Sequence, residues 1–507
     1  MKVLFYYRGI ENLGISYLMS MLKSHGHQVK LIFDPGLDNN LYFKAPYLKW
    51  LNNHSKMVDD AREFGPGLIA IGALTNLWSY ASEMAHHLKE ATGAPIIVGG
   101  HHAQTLPDYV LQHPAVDFVC TGEGEIPLLE LADKLDAGEN VTNIRGTWTK
   151  KDGQVIRNEM ANLEEDLDRF PFPEKEAWAE HGCVGTHLEI FTGRGCPFKC
   201  TFCNIHYQAE IFKGYGSFVR KRSVECVMRE LREHVDTYKP TYLMIHDDNF
   251  TATSKWAKAF CEAYKVEFDI PWFCFGYPTT IKEDLVRKMK EAHCHTIFMG
   301  VDSGSEEVRR ILMERPMKDE LIYKAAGIIQ DAGINLHLSA IYGVPGETEE
   351  QMWKTLEMME RIKPAQSSSY IFYPFPKTKL HDKAVAMGYL DEAGQERVRN
   401  GESSYHIGSI LNHPHKALAE CLAKATPLYV RSPQATRPLI RFLIRRNART
   451  TLRLLYLGLF PFIFPAMGTE AVKLQLRMAG HALSTWIKYN LGRKRIVTTA
   501  HGRLVHS

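Results

Sequence analysis

Two successive series of apolar strands alternating with helices run through the first 385 residues, and no other pattern limits the fold as much. The opening series reads as strands at KVLFYY (2–7), HQVKLIF (27–33), GLIAIGAL (67–74), APIIVGG (94–100) and VDFVCTGEGE (116–125), with helices at 12–26, 78–92 and 126–137. GLIAIGAL is nearly continuous in apolar residues, as expected of a strand covered on both faces. Such βα alternation predicts an open, doubly wound parallel sheet, whose ligands bind beyond the carboxyl ends of the strands. Residues 141–186 read as a connector. Turn signals at Lys151–Gly153 predict a hairpin there, and DRFPFPEKEAW (168–178) is proline-rich and extended. The second series has strands at 187–192, 241–246, 271–275, 296–301, 335–341 and 368–373. Helices are expected between them at 223–238, 254–266, 281–292, 305–313, 318–332 and 348–362. Six βα units are too few for a closed eight-stranded barrel.

The chemistry-bearing feature lies just after the first strand of this second series. GRGCPFKCTFCNIH (193–206) places Cys196, Cys200 and Cys203 at the spacing Cys-x3-Cys-x2-Cys behind two glycines. Three thiolates so spaced can grip one face of a cubane iron–sulfur cluster. Four-cysteine ligation is the usual arrangement, so three ligands leave one iron open to another molecule. The same residues also allow a zinc site completed by His206, or three buried thiols. The other seven cysteines (Cys120, Cys183, Cys226, Cys261, Cys274, Cys294 and Cys421) read as core residues, with Cys183 near enough to the motif to be an exception. They lack the density of a disulfide scaffold.

The cysteine spacing, with Phe202 directly before the third cysteine, resembles the radical S-adenosylmethionine (SAM) superfamily. The resemblance implies a [4Fe-4S] cluster on Cys196, Cys200 and Cys203. In that family SAM chelates the open iron, and one-electron reduction cleaves it to a 5′-deoxyadenosyl radical; the protein's part is to aim that reagent. It also implies a partial (βα)6 barrel over residues 187–385, with the cluster at the C-terminal mouth, and an electron donor such as flavodoxin or ferredoxin. Further SAM contacts follow by likeness, residue by residue. Asp247 and Asp248 in MIHDDNFT (244–251) match the acidic pair near the SAM amino group, although aspartate is favoured as a helix cap in such places anyway. Asp302 and Ser303 in FMGVDSGSEEV (298–308) match a G-x-E-S-G-S segment, with aspartate in place of the usual glutamate. Ile341 and Gly343 in SAIYGVPGET (339–348) match the adenine-contacting strand, and Tyr373 in YIFYPFPKTKL (370–380) could face the adenine. Where many relatives carry an arginine at the third strand, this chain reads CFGYPTT (274–280), with Gly276 and Tyr277.

The first sheet, residues 1–140, resembles the cobalamin-binding domain that precedes one large class of radical SAM enzymes. The likeness rests on GALTNLW (72–78), VGGHHA (98–103) and TGEGE (121–125), each at a strand's C-terminal end. Glycines there let a flat corrin ring approach the backbone. Leu74, Thr75, Asn76, Gly99, Gly100, His101, Gly122, Glu123 and Gly124 are the implied cobalamin contacts. The axial-ligand motif Asp-x-His-x-x-Gly is absent, so an open lower face on cobalt is expected, lined by Leu74, Thr75 and Asn76. G-x-G-x-x-G is absent too, against a dinucleotide site.

Residues 386–507 are expected to be mainly helical and carry no readable motif. The net charge of +3 hides an asymmetry. Residues 431–507 hold 14 Lys/Arg and one acid, Glu470, leaving −10 on the preceding 430 residues. Leu454 to Thr469 is uncharged for 16 residues, broken by Pro461 and Pro465, and shorter than the ~20 residues a span requires. Arginines at 437, 441, 445, 446, 449 and 453 precede it. Two readings remain: an interfacial helix on anionic lipid at the inner membrane face, or a helical lid over the barrel mouth. The chain opens MKVLFYYR, directly into a strand, so no signal peptide is read and a cytoplasmic location is expected. No helix-turn-helix is apparent, so nucleic acid is not an expected partner.

The expected function is a cobalamin-dependent radical SAM methyltransferase acting on an unactivated carbon of a hydrophobic, membrane-associated small molecule. One SAM would methylate cobalt and a second would supply the radical. Anaerobic magnesium-protoporphyrin ester cyclases and hopanoid methylases share the layout, so an oxidative cyclase or rearrangement enzyme is the alternative. A cobalamin or iron–sulfur sensor is the non-enzymatic one.

Overall fold

A computed structural model of the chain describes residues 1–38, 52–463, 478–481, 483–485 and 487. The first sheet is built from β1 (Lys2–Arg8), β2 (Gln28–Asp34), β3 (Leu68–Gly72), β4 (Ile96–Gly99), β5 (Phe118–Cys120), β6 (Thr147–Lys151) and β7 (Gln154–Arg157), in the order β2-β1-β3-β4-β5-β6-β7. The first five strands pair in parallel. The hairpin expected at Lys151–Gly153 forms β6 and β7 and extends the sheet antiparallel from β5. Alternation along β1 explains the two-sided burial. Val3, Phe5 and Tyr7 pack with Ile15, Met19, Leu22 and Leu131 on one face, and Leu4 and Tyr6 with Trp78, Met84 and Leu88 on the other. The strand order reverses between β1 and β3, and a crevice opens at such a reversal.

The second series forms β8 (His187–Ile190), β9 (Tyr242–Ile245), β10 (Trp272–Gly276), β11 (Cys294–Asp302), β12 (Asn335–Tyr342) and β13 (Gln366–Ile371). They pair in sequential order and all in parallel, a six-stranded partial barrel. Helices Val224–Tyr238, Ser254–Glu267, Glu283–Glu291, Asp319–Asp331 and Glu349–Ile362 lie close to their expected places. The helix expected at 305–313 differs. It is a five-residue π-turn, Val308–Leu312, of the kind that recurs at functional sites.

The C-terminal region is helical, as expected, and its first half belongs to the barrel. Helix Lys416–Arg431 packs against β13 and β12, and its Leu418, Ala419, Cys421 and Leu422 join the barrel core. Tyr342 and Thr426 share a hydroxyl hydrogen bond of 2.8 Å. Helix Glu392–Arg399 reaches back to the first sheet, where Tyr109 donates to Glu396 (3.0 Å) and Asn400 (2.6 Å). Of the arginines read as membrane-facing, Arg437 and Arg441 both bind Glu360 at 2.9 Å, Arg445 lies over Trp353, and Arg449 binds Glu420. Those four are turned onto the protein. The apolar run 454–469 extends past residue 463, so its second part lies outside the described residues, as do Glu470 and the basic residues beyond it. None of the described helices is long and apolar enough to cross a membrane. All seven cysteines read as core residues are buried, Cys183 included.

Arg222 ties the barrel to the first helix of the chain. Its guanidinium pairs with fully buried Glu230 and donates to the Tyr17 hydroxyl (3.2 Å) and the Phe191 carbonyl (3.1 Å). Replacing one partner of a buried ion pair strands the other. Glu230→Ala is expected to lower the unfolding free energy by about 3–5 kcal/mol in chemical denaturation, and Glu230→Gln, which keeps an acceptor, by less.

Candidate functional site

The C-terminal ends of both sheets face one cavity of about 590 Å³. The first sheet contributes Gly9 to Asn12 after β1, Gly72 to Leu74 at β3, Gly99 to His101 at β4, and Gly122 to Glu125 after β5. The barrel contributes Glu189, Phe191, Gly193 to Gly195, His246 and Asp248.

The cysteine loop rises beside this cavity. Its entry is fixed by a two-strand ribbon, Gly193–Arg194 against Arg220–Lys221. Gly195 has φ +84° there, and a Cβ would stand 2.2 Å from the Phe218 carbonyl oxygen, so only glycine fits. The exit is pinned by Thr201, whose hydroxyl and amide donate to Leu312 (2.7 Å) and Met313 (3.2 Å) at the π-turn. Cys196, Cys200 and Cys203 are half-buried. Burial pushes all three thiols up, Cys196 to about 11 and Cys203 to about 12, and each of those two feels the Cys200 charge. Among the described residues no three His, Cys, Asp or Glu side chains close on a single-ion site, and His206 sits 3.5 Å from Glu210 on its own helix. Three thiols on one loop offer a shared set of ligands to a metal cluster. Binding it would draw them into the thiolate form.

Beside the loop, Phe198 stacks on Tyr277 with ring centroids 3.6 Å apart, and Arg315 lies over the other partner's ring at 4.4 Å from its centroid. Arg315 is ion-paired with Asp302, donates to the Gly300 carbonyl (2.9 Å), and its charge favours the thiolates of Cys196 and Cys200. Asp302 adopts φ +63°, where the register of β11 slips against β12. Its carboxylate is thereby aimed at Arg315. The strand that lacks the family's arginine thus has one beside it from elsewhere in the chain.

Of the other expected SAM contacts, Phe202, Ile341 and Tyr373 converge in one apolar cluster. The Tyr373 hydroxyl is buried and makes no hydrogen bond among the described residues. Asp248 lines the cavity, and burial, then neighbouring Asp247, raises its carboxyl to about 6. Asp247 is occupied otherwise. It accepts from the Thr192 amide (2.6 Å) and hydroxyl and the Gly193 amide (3.1 Å), and pairs with Lys221. Ser303 caps its own turn, accepting from the Ser305 amide at 3.1 Å. Gly343, with φ +78°, donates to Glu347 at 2.9 Å and faces Ala419 of the C-terminal helix.

Leu74, Gly99, Gly100, His101, Gly122, Glu123 and Gly124 line the cavity, and their glycine-rich edge suits a flat ring such as corrin. Thr75 and Asn76 do not line it. Thr75 is buried with its hydroxyl 3.4 Å from His102, and Gly401 packs on its carbonyl. The His101 Nδ1 is 2.7 Å from the Gln208 amide, on the helix after Cys203. Glu123 binds Arg194 (3.2 Å) and Arg220 (3.1 Å), and Glu125 binds Arg194 (2.5 Å). Arg194, Gln208, Arg220, Arg315, Glu11 and Glu189 were not legible as site residues. Only Glu189 carried a local signal, a charge inside the apolar strand HLEIF.

Residues 7–132 match the B12 binding domain and residues 190–359 the Radical SAM superfamily. In that order the two define a cobalamin-binding-domain-containing radical SAM protein, and this chain belongs to that group. It is 27% identical over 88% of its length to an uncharacterised methyltransferase of Pyrococcus horikoshii, covering 94% of that protein. It is 25% identical to the cytidylyl-2-hydroxyethylphosphonate methyltransferase of Streptomyces wedmorensis (75% of this chain, 78% of that one). It is 23% identical to an anaerobic magnesium-protoporphyrin IX monomethyl ester cyclase of Rubrivivax gelatinosus (72% and 65%). The fold is that of the radical SAM methyltransferase TsrM of Kitasatospora setae, at a TM-score of 0.61, 15% identity and coverage of 76% and 75%.

Glu347 gives the site a pH dependence. Burial raises its carboxyl from 4.5 to about 8, against the lowering by the Val344 and Gly343 amides it accepts. The native state therefore keeps a proton that the unfolded chain releases. That contribution is fully present below about 4.5 and is lost as pH rises toward about 8. Thermal unfolding of Glu347→Gln is expected to show a flatter fall in stability across this window than the parent protein.

Proposed function

We propose that this chain is a cobalamin-dependent radical SAM methyltransferase acting on an unactivated carbon of a hydrophobic small molecule. The observation that carries the reading is the single cavity onto which the glycine-lined ends of the B12-binding sheet and the barrel wall beside the cysteine loop both open. Cys196, Cys200 and Cys203 would hold a [4Fe-4S] cluster; Asp248, Asp302 with Arg315, and the Phe202–Ile341–Tyr373 cluster would hold SAM; and the edge from Leu74 to Gly124 would hold cobalamin. Together these cofactors supply hydrogen abstraction and a transferable methyl group. The chain's own part is alignment: Thr201 and the π-turn fix the cysteine loop, and Glu123 and Glu125 tie the cobalamin-side loop to Arg194, two residues before Cys196. Apolar side chains around the cavity exclude water. A flavodoxin- or ferredoxin-type donor would deliver the electron. The cyclase relative keeps oxidative cyclisation as the alternative, and product mass separates them, since methylation adds one CH2.

Peripheral membrane contact is part of the proposal. Leu439, Phe442, Leu454, Leu455 and Leu459 are exposed on helices Arg437–Arg445 and Arg449–Ile463. Flotation with anionic liposomes at low salt is expected to carry the full chain upward. If it stays at the bottom at low salt, membrane contact fails.

Anaerobically reconstituted protein is expected to bind iron, sulfide and cobalamin and to cleave SAM on reduction. Cys200→Ala is expected to lose its cluster absorption and to drop SAM cleavage to background while still binding cobalamin. A full cluster and undiminished cleavage in that variant would sink the assignment.

A further inference from the structure

The barrel side of the cavity carries a carboxylate that no role above uses. Glu189 of β8 lines the cavity, its side chain 15% exposed, and it accepts no hydrogen bond from the described residues. His246, at the end of β9, stands with Nε2 3.4 Å from Glu189 Oε2, and that buried nitrogen makes no hydrogen bond among the described residues. Behind them Lys175 is fully buried. It pairs with Glu11 from the loop after β1 and donates to the Glu189 main-chain carbonyl at 2.7 Å, so its charge is already matched. The arginines lining the cavity are matched too: Arg8 by Asp34 and Asp38, Arg194 by Glu123 and Glu125, and Arg220 by Glu123. Every cation on the wall has its own counter-charge, whereas Glu189 feels only Lys175, already paired with Glu11, and Asp248 beyond it only Lys221, already paired with Asp247. A largely buried carboxylate without a donor is unfavourable, and a ligand that brings one relieves it. Burial raises the Glu189 carboxyl to about 7, and a cationic ligand would draw it into the ionised form.

We propose that Glu189, flanked by His246, is the subsite for a protonated amine of the methyl acceptor. The substrate is then amphipathic, with an ammonium group at Glu189 and an apolar body against Ile10, Phe191 and Ile205. This rests on the reading of the cavity as the methyl-transfer site. SAM also carries an ammonium group, so the test must separate the two sources.

The probes are n-octylamine, 1-octanol and octanoate, titrated calorimetrically into full-length protein reconstituted with cluster and cobalamin. Octylamine is expected to bind at least tenfold more tightly than octanol, and octanoate not at all. In Glu189→Gln the preference for octylamine over octanol should vanish, in Glu189→Asp it should persist in weakened form, and in His246→Asn it should shrink. SAM affinity should stay within twofold of the parent's in each. Equal binding of amine and alcohol overturns the proposal, as does a preference that survives Glu189→Gln with an unchanged melting temperature. A tenfold loss of SAM affinity with octylamine unaffected reassigns Glu189 to SAM. If the parent chain loads neither cluster nor cobalamin, the methyltransferase reading itself falls; if it loads both and shows no amine preference, only this inference does.

Discussion

Arg194 and Arg220 are the hinge on which the arrangement of cofactor sites depends. Both rise from the short ribbon that launches the cysteine loop, and both are neutralised by glutamates on the loop after β5. Arg194 also lies over the rings of Tyr17 and Phe170, and its side chain is largely buried. Charge-assisted pairs in such a place have defined geometry, because the alternative is an unpaired buried ion. The glycine-lined loop after β5 and the cysteine loop are therefore one mechanical unit. Gln208, bound to His101 and Gln104, fastens the far side of the same junction.

Charge matching also separates aspartates that look alike in sequence. Asp247 and Asp248 are adjacent, yet the first is spent holding Thr192, Gly193 and Lys221, and only the second reaches the cavity. Both lie past the end of β9, where the chain turns at Asp248 and the two side chains take different partners. Asp302 is turned toward Arg315 by a left-handed backbone that asparagine and aspartate tolerate better than most residues. The shorter side chain at that position is thus matched by a cation brought to it.

The strands were legible because their signal is local. Apolar runs such as GLIAIGAL and the turn at Lys151–Gly153 state their own conformation, and every strand of both sheets formed within a few residues of its expected place. That the hairpin joins the first sheet was not legible, because pairing partners are set by the fold and not by the hairpin's own residues. The cysteine loop and most of the glycine-lined edge could be read, since chemistry there is encoded by spacing. Thr75 and Asn76 follow Leu74 directly, but a 3-10 turn at Thr75–Leu77 carries them under Gly401 and off the wall. Arg315 and Glu11 could not be read at all. Each becomes a site residue only through a register slip or a neighbouring sheet that brings it close.

The C-terminal helices resolve the choice between lid and lipid anchor in part. A six-stranded barrel leaves β13 as an edge, and an unpaired edge needs a cover. Helix Lys416–Arg431 supplies it, with Ala419 against Gly343 and Thr426 bonded to Tyr342. Arg437 and Arg441 then lock the next helix to Glu360 on the barrel's outer face. Arg437 and Arg441, which looked like part of a lipid-facing stripe, serve instead to dock a helix, which leaves Leu439 and Phe442 pointing outward alongside Arg445.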